Sequence, residues 1–307
     1  MPKMHVSRSV TICKTVTEVF TKLNKFHDWK SWSPWLIQEP EAESSVSEDG
    51  KFHSWDGNRI GVGNMLIVDE KENEYVDYDL TFVKPWKSKA KVRFELDSRG
   101  DDTEVTWIMD SSLPIFMFWM KGMMEALVGM DYERGLAMLK DFVEDGEAHT
   151  KLDFQGNSQF QGFKYIGIEA NTTKSEVGSS MKKVFGDLMS FAESNKNNIE
   201  GDPFTIYHKW DMIKGDIEYT SGIPVKELPL DLPEGFITGE VPATHVYSIK
   251  HTGPYEHLGN AWSTLYNMQQ SKVFKTNKKI HPFEVYTNDP SEVDSNQLET
   301  VVYFAVK

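Results

Sequence analysis

The 307-residue sequence contains one cysteine, Cys13, and no excess of positive charge. A single cysteine excludes an internal disulfide and a cysteine-rich metal site, and it is typical of a reducing compartment. The formal net charge is −14, and residues 1–150 and 151–307 contribute −9 and −5. Because nucleic-acid binding requires a cationic surface, we expect no nucleic-acid partner. The first residues also lack the apolar stretch of a signal peptide, so we predict a cytoplasmic protein.

Long hydrophobic runs are scarce as well. The segment Leu113–Met130 has 18 residues, of which only Lys121 and Glu125 are charged. A membrane span needs about 20 apolar residues, and charges at its centre are costly. Since the segment continues into an amphipathic stretch, it predicts a buried helix and no membrane span. Contact with a membrane surface is the alternative interpretation.

Sequence signatures of common catalytic sites are absent too. The chain has no HExxH, GxSxG, P-loop or dinucleotide-binding motif, and its nine histidines show no spacing typical of metal ligands. We therefore predict neither a metal nor a cofactor.

The first half has the pattern of an α+β domain. His5–Ile12 alternates like a strand and Thr17–Phe26 has helical spacing, while Ile115–Glu144 predicts a long helix. Between them lie four β-rich runs separated by turn signals: Gly63–Asp69, Glu74–Lys84, Lys87–Asp97 and Glu104–Asp110. The pattern indicates a curved antiparallel sheet around one long helix, with a cavity between them.

The second half repeats a strand–helix–strand–strand pattern. Its two predicted helices are Lys174–Asn195 and Tyr255–Gln270, and the two copies share little sequence. The polar segment 148–161 is interpreted as a linker between a domain at 1–147 and a domain at 162–307.

Several motifs of the first half resemble the SRPBCC (START-like, polyketide cyclase/dehydrase) superfamily. They are Arg8-Ser9-Val10, Val19-Phe20, Trp32-Ser33-Pro34-Trp35, Trp55, Gly61–Met65, Thr103–Trp107 and Gly135-Leu136. The resemblance implies a helix-grip fold, which hosts lipid carriers, cyclases and chaperone activators, so it implies no single activity. The large apolar residues that we predict to line the cavity of this domain are Trp55, Trp107, Met109, Trp119, Met120 and Met123.

Three motifs of the second half, in order, resemble the GyrI-like effector-binding domain: Ser221–Val225, His251–Tyr266 and Phe283–Pro290. The resemblance implies that two βαββ repeats pack side by side and bind ligands in the groove between them. Ligands of this family are often lipophilic cations, held by aromatic rings and a buried glutamate, which corresponds to Glu284. Val301 stands where the family often has a second acidic residue, which argues against a dication.

The local sequence around Glu284 supports a binding site. In an extended strand, Glu284 and Tyr286 share one face, and Phe283, Val285 and Thr287 share the other. If the second face packs on helices, Glu284 points into a cleft, where a carboxylate among aromatic rings attracts a cation. The aromatic residues that we predict to accompany Glu284 in binding a ligand are Tyr207, Trp210, Tyr219, Tyr247, Trp262, Tyr286 and Tyr303. Glu218 is a candidate second acid.

Three functions are compatible with these residues. We favour binding of hydrophobic small molecules, cations among them, for sensing or sequestration, in the groove of the second domain and also in the first-domain cavity. The first alternative is hydrolysis of small electrophilic toxins, in which Glu284 would be the catalytic residue. The second alternative is a protein-interaction role, as a gyrase inhibitor or chaperone partner.

Overall fold

The computed structural model describes residues 2–229 and 231–307, and within them the chain forms a seven-stranded and an eight-stranded antiparallel sheet. The sheets belong to two compact units that divide between Thr150 and Lys151. The predicted α+β class is therefore confirmed, with one sheet in each unit. Within the described residues, no helix is long and apolar enough to cross a membrane.

The first domain is a sheet with a long helix packed on it. Its strands are β1 (Lys3–Ile12), β2 (Glu43–Val46), β3 (Phe52–Gly57), β4 (Gly61–Lys71), β5 (Tyr75–Lys84), β6 (Ser88–Arg99) and β7 (Asp102–Ser112). The order across the sheet is β1-β7-β6-β5-β4-β3-β2. Its helices are α1 (Val16–Leu23), α2 (Trp29–Trp32) and α3 (Lys121–Asp145). A helix thus lies against an antiparallel meander, as predicted.

The predicted helix at Ile115–Glu144 is only partly α-helical. Residues Ile115–Met120 form a 3-10 helix, and α3 begins at Lys121. Pro114 precedes the 3-10 segment in an extended conformation and fixes where the helical structure starts. In the first six residues of the predicted helix, side chains three positions apart therefore lie on the same side, because a 3-10 helix has three residues per turn.

The sequence interpretation missed the strands β2 and β3. Glu39, which lies shortly before β2, is an acidic residue that is only 2% exposed. Its carboxylate accepts hydrogen bonds from the backbone N–H groups of three successive residues, Asn58, Arg59 and Ile60, each at 2.9 Å. Glu39 therefore holds the turn between β3 and β4.

Aromatic side chains fill the core of the first domain. The indole of Trp107 stacks on Phe94 at 4.7 Å and on Tyr132 at 3.9 Å between ring centroids. Gly135 permits this packing, because a Cβ at that position would lie 2.7 Å from the Trp107 ring. Much of the space between α3 and the sheet is therefore occupied by the protein's own side chains.

The second domain is a duplicated unit with exchanged outer strands. Its strands are β8 (Lys151–Phe160), β9 (Phe163–Thr173), β10 (Phe204–Trp210), β11 (Asp216–Val225), β12 (Phe236–Val241), β13 (Thr244–Thr252), β14 (Phe283–Tyr286) and β15 (Glu299–Ala305). The order is β12-β9-β11-β10-β14-β15-β13-β8, which is symmetric about the β10–β14 pair. The strand preceding each repeat thus pairs with the other repeat. The helices α4 (Val177–Ser194) and α5 (Gly259–Gln270) belong to the first and second repeats.

The segment 148–161 differs from its interpretation as a linker, because β8 occupies most of it. Leu152, Phe154 and Phe160 are half-buried, whereas the residues between them are mostly exposed. β8 is an edge strand with one solvated face, which explains its polar composition. Gly162 then turns the chain with φ of +74°, and a Cβ there would lie 2.5 Å from the backbone nitrogen of Ala243.

Candidate functional site

Glu284 lies at the centre of the second sheet. Strand β14 alternates as predicted, so Glu284 and Phe283 point to opposite faces. Glu284 is paired with Thr205 on β10 and with Val302 on β15. Phe283 joins an aromatic cluster on the other face, with Phe204 among its members. The register therefore places Glu284 beside the pseudo-symmetry axis of the two repeats.

Both helices lie on the same face as Glu284. Helix α4 packs over β9 and β11, and α5 packs over β13 and β15. The condition stated above, helices on the face of Phe283, is therefore wrong. The central strands β10 and β14 lie between the strands that α4 and α5 contact, so Glu284 lies between the two helices.

Three aromatic side chains donate hydrogen bonds to the Glu284 carboxylate. The hydroxyl groups of Tyr207 and Tyr286 donate to Oε1 at 3.0 and 2.6 Å, and the indole N–H of Trp262 donates to Oε2 at 2.6 Å. Tyr207 comes from β10, Tyr286 from β14 and Trp262 from α5, so both repeats contribute. The two contacts of 2.6 Å are as short as hydrogen bonds to an ionised acceptor.

A second layer of hydroxyl groups supports the Tyr286 phenol. The Thr205 hydroxyl lies 3.1 Å from the Tyr286 oxygen and 2.8 Å from the Ser221 hydroxyl. Since the single Tyr286 proton is donated to Glu284, Thr205 donates to the phenol oxygen. The chain Ser221–Thr205–Tyr286–Glu284 therefore directs its hydrogen-bond donors toward the carboxylate.

Glu284 is 1% exposed, and no Lys, Arg or His side chain of the described residues forms an ion pair with it. Burial raises the pKa of Glu284, and the hydrogen bonds from Tyr286, Trp262 and Tyr207 oppose this rise. Burial, followed by the nearby Glu284 charge, also raises the pKa of both phenols well above the usual tyrosine value. The site holds one buried acid that lacks a positive partner.

Further aromatic rings surround this carboxylate. The ring of Tyr207 lies 5.1 Å from Trp262 and 5.6 Å from Trp210, and the ring of Tyr286 lies 5.6 Å from Tyr255. Trp210 and Tyr255 are exposed, whereas Tyr207, Tyr286 and Trp262 are half-buried. Aromatic surface therefore extends from solvent down to Glu284.

The predicted site residues separate into two groups. Tyr207, Tyr286 and Trp262 contact Glu284 directly, and Trp210 and Tyr219 lie next to Tyr207. Tyr219 is buried, and its hydroxyl lies 2.7 Å from Ser180 on α4.

Tyr247 and Tyr303 do not join this cluster. Tyr247 stacks on Phe274 at 4.7 Å in the core beneath α5. Tyr303 pairs with Phe283 and stacks on it at 5.1 Å, so Tyr303 belongs to the opposite face. Position 301 has the same orientation as position 303, so its identity does not change the charge beside Glu284.

The candidate second acid, Glu218, is excluded from the site by its register. Glu218 and Tyr219 are adjacent in β11, so their side chains point to opposite faces of the sheet. The carboxylate of Glu218 accepts a hydrogen bond from Lys209 at 3.1 Å. Glu284 therefore remains the acid of this cluster.

The sequence interpretation missed Tyr255 and Phe185. Tyr255 follows Gly253-Pro254 and lies in a 3-10 helix. The ring centroid of Phe185 on α4 lies 5.3 Å from that of Tyr286. Phe185 lies on the apolar face of the predicted helix, but helical spacing alone does not distinguish a residue that contacts the site from a core residue.

The first domain contains a small inner cavity of about 50 Å³. Its lining includes Trp55 and Trp107, two of the residues proposed from the sequence, together with Trp29, Trp35 and His53. Such a volume accommodates a few water molecules and no lipid. The other predicted lining residues, Met109, Trp119, Met120 and Met123, are not among those that line this cavity. Met109 packs in the core, and Trp119 is exposed to solvent.

A second cleft, of about 310 Å³, lies outside the inner cavity. Trp29 and His53 line both spaces and therefore stand between them. The His53 ring nitrogen Nε2 lies 2.9 Å from the Ser44 hydroxyl, and burial lowers the pKa of His53 to about 4. His53 is therefore a neutral side chain at neutral pH, and it adds no charge to this apolar region.

Comparisons with known proteins match the two halves separately. Residues 3–144 match the family "Polyketide cyclase / dehydrase and lipid transport", and residues 158–307 match "GyrI-like small molecule binding domain". Both predicted resemblances are confirmed. No curated protein matches the chain.

Three solved structures illustrate the likeness. The C-terminal domain of EcmrR is 16% identical, covers 52% of this chain and 98% of its own, and has a TM-score of 0.42. SAV2435 bound to tetraphenylphosphonium is 11% identical, covers 50% of this chain and 94% of its own, and has a TM-score of 0.40. A START superfamily protein from Mycobacterium smegmatis is 20% identical, covers 46% of this chain and 97% of its own, and has a TM-score of 0.34.

Proposed function

Since the chain joins a domain of the polyketide cyclase/dehydrase and lipid transport family to a GyrI-like small molecule binding domain, we propose that it is a small-molecule binding protein. Its second domain binds lipophilic organic cations at Glu284. The observation that carries this proposal is a buried carboxylate that is surrounded by aromatic side chains and has no positive partner among the described residues.

The charge of Glu284 favours a cation as the ligand. Burying an ionised carboxylate is costly, and three hydrogen bonds offset only part of that cost. A positive ligand lying beside the carboxylate adds a Coulomb attraction that is strong because the surroundings are apolar. Since Glu218 is paired with Lys209 and lies on the other face, one carboxylate is available, and a monocation is the matching ligand.

The aromatic rings favour a lipophilic cation over an inorganic ion. Trp262, Tyr207 and Tyr286 are half-buried, and their faces and edges provide apolar contact area as well as cation–π attraction. Both carboxylate oxygens of Glu284 already accept hydrogen bonds from these residues, which leaves the carboxylate few free lone pairs to coordinate a metal ion. A bulky organic cation needs proximity to the charge rather than direct coordination.

The test is a calorimetric titration of the full chain with tetraphenylphosphonium, a permanently charged aromatic cation, at several values between about pH 4 and about pH 8. We expect binding at neutral pH that weakens about tenfold per pH unit once the pH falls below the raised pKa of Glu284. The loss occurs at low pH because protonation removes the negative charge. Triphenylphosphine oxide, an uncharged compound of similar shape, is the control, and we expect its weaker binding to be independent of pH.

Binding of the uncharged compound as tight as that of the cation, or cation binding that does not change with pH, would contradict the proposal.

A second candidate function, hydrolysis, is favoured by the Tyr286 phenol in contact with an acid of raised pKa. Mass analysis of electrophilic esters and epoxides after incubation distinguishes the two, because binding leaves the ligand mass unchanged.

A further inference from the structure

The first domain exposes large apolar side chains at one end of its sheet. In the 3-10 helix, Ile115, Phe118 and Trp119 are 70%, 67% and 70% exposed, and Trp86 in the turn between β5 and β6 is 44% exposed. Residues three apart eclipse each other in a 3-10 helix, so Ile115 and Phe118 lie on the same side. We call these four residues the apolar tip. Soluble domains rarely expose such residues together without a function.

The strand pairing brings the parts of the apolar tip to the same end of the domain. Ala90 at the start of β6 pairs with Ser111 at the end of β7, and the Ser111 hydroxyl donates to the Lys89 carbonyl at 3.0 Å. The turn that contains Trp86 ends just before β6, and the 3-10 helix begins just after β7. Lys3 pairs with Ser112 and marks the same end of β1.

Four lysines surround the apolar tip without a negative partner. Lys3, Lys84, Lys87 and Lys89 are exposed, and none of them forms an ion pair within residues 2–229 and 231–307. Their charge contrasts with the net charge of −14 of the whole chain.

Two carboxylates at this end, Asp110 on β7 and Glu125 on α3, are engaged with other residues. Asp110 contacts the His5 ring at 2.8 Å, and Glu125 accepts the backbone N–H of His5 at 3.1 Å and lies 3.6 Å from Lys121. These two carboxylates therefore do not neutralise the four lysines, and the exposed Asp56 lies two strands from Lys84 in the pairing.

We propose that the apolar tip docks on the surface of an anionic lipid bilayer. Tryptophan together with other large apolar residues is typical of the membrane–water interface, and lysines near an anionic surface each strengthen binding about fivefold. The rest of the chain is acidic and is repelled by the same surface, so docking selects this end. The tip offers about 500 Å² of apolar area, less than the ~800 Å² per partner of a stable protein interface.

The docking end also lies near the inner cavity. Phe82 on β5 and Ile60 before β4 line that cavity. Gly61, which follows Ile60, approaches the carbonyl oxygen of Lys84 so closely that a Cβ there would lie 2.5 Å from it. The turn that carries Trp86 therefore begins at the rim of the cavity.

The test is cosedimentation of the full chain with vesicles of phosphatidylcholine alone and of equal parts phosphatidylcholine and phosphatidylglycerol. We expect binding to the mixed vesicles that weakens with added salt, and little binding to phosphatidylcholine. The double variant Phe118→Ser/Trp119→Ser and the double variant Lys87→Glu/Lys89→Glu should each bind at least tenfold more weakly. Because all four side chains are exposed, their thermal midpoints should equal that of the wild type.

Ile213→Ser is the matched control, since Ile213 is 67% exposed in the second domain, and it should bind within twofold of the wild type. The proposal is overturned if the wild type fails to sediment with mixed vesicles, or if the Phe118→Ser/Trp119→Ser variant sediments equally well. It is also overturned if light scattering shows a wild-type dimer that this variant abolishes, because a second copy then covers the apolar tip.

Discussion

Replacing Glu284 with glutamine is expected to weaken tetraphenylphosphonium binding about 100-fold, equivalent to about 2.7 kcal/mol. Glutamine preserves the size of the side chain, and its carbonyl oxygen can still accept hydrogen bonds from Tyr286 or Tyr207. It removes the negative charge, which is the one feature of the site that distinguishes a cation from an uncharged aromatic compound. Binding of triphenylphosphine oxide should therefore change by less than about threefold. Calorimetric titration of both compounds measures the two effects.

Glu218→Gln is the matched control for this experiment. Glu218 lies on the neighbouring strand β11 but faces away from the site and pairs with Lys209. Its replacement removes the same charge from the chain and should leave cation binding within about twofold, since a partly exposed ion pair contributes little. An equal loss in both variants would show that the net charge of the protein, rather than the buried carboxylate, attracts the cation.

The stability of the Glu284→Gln variant separates loss of binding from loss of folding. The folded-state pKa of Glu284 lies above that of an unfolded glutamate. The carboxyl group therefore contributes stability that is complete at low pH and is lost as the pH rises through its folded-state pKa. Glutamine is uncharged at every pH, so the variant should show a weaker decline of stability from about pH 5 to about pH 8. A variant that unfolds at neutral pH would contradict this account of the buried charge.

Replacing Trp107 with alanine is expected to destabilise the first domain by about 3–5 kcal/mol. The Trp107 ring is fully buried and stacks on both Phe94 and Tyr132. Its removal leaves a void next to the existing cavity of about 50 Å³, and surrounding aromatic rings can collapse into that void only partly. The indole N–H has no hydrogen-bond partner in the described part of the chain, so the loss arises from packing.

Denaturant unfolding of the full chain measures this effect. Seven of the nine tryptophans precede residue 150, so tryptophan fluorescence reports mainly on the first domain. Trp119→Ala is the matched control, because Trp119 is largely exposed, and its replacement should change the free energy of unfolding by less than about 0.5 kcal/mol. Equal stabilities of the two variants would mean that the aromatic stack is not the core of this domain.

The periodicity of the sequence predicted most elements of the fold. Strands with a buried face, such as β5 and β7, alternate clearly between buried and other residues. In contrast, β2 is four residues long with three of them exposed, and β8 is a polar edge strand. Neither has the hydrophobic alternation that identifies a strand, and both are defined by pairing with a distant partner. Apolar content alone also gave no indication that Ile115–Met120 is a 3-10 helix.

The candidate site was predictable where a single strand decides the geometry. Alternation within β14 is sufficient to place Glu284 and Tyr286 on one face. Membership of Tyr207 depends instead on the register of β10, which pairs Thr205 with Glu284. The register of β15 directs Tyr303 away from the site. A one-residue shift of either strand would exchange these assignments, and sequence spacing does not specify such a shift.

The lining of the first-domain cavity, in contrast, could not be predicted from the sequence. Methionine and tryptophan are equally suited to line a cavity and to fill it, and the volume left over depends on how all the side chains pack. The structure fills most of the space with the stack around Trp107 and exposes Trp119 at the apolar tip. The composition of the segment that includes Trp119 was therefore compatible with a cavity, a core helix and a surface that contacts lipid.

The most direct test of the central proposal is a crystal structure of the full chain with tetraphenylphosphonium. The account predicts the phosphorus atom within about 6 Å of the Glu284 carboxylate, between α4 and α5, with phenyl groups against Tyr207 and Trp262. A cation bound in the first domain or on the acidic surface, with none beside Glu284, would contradict it.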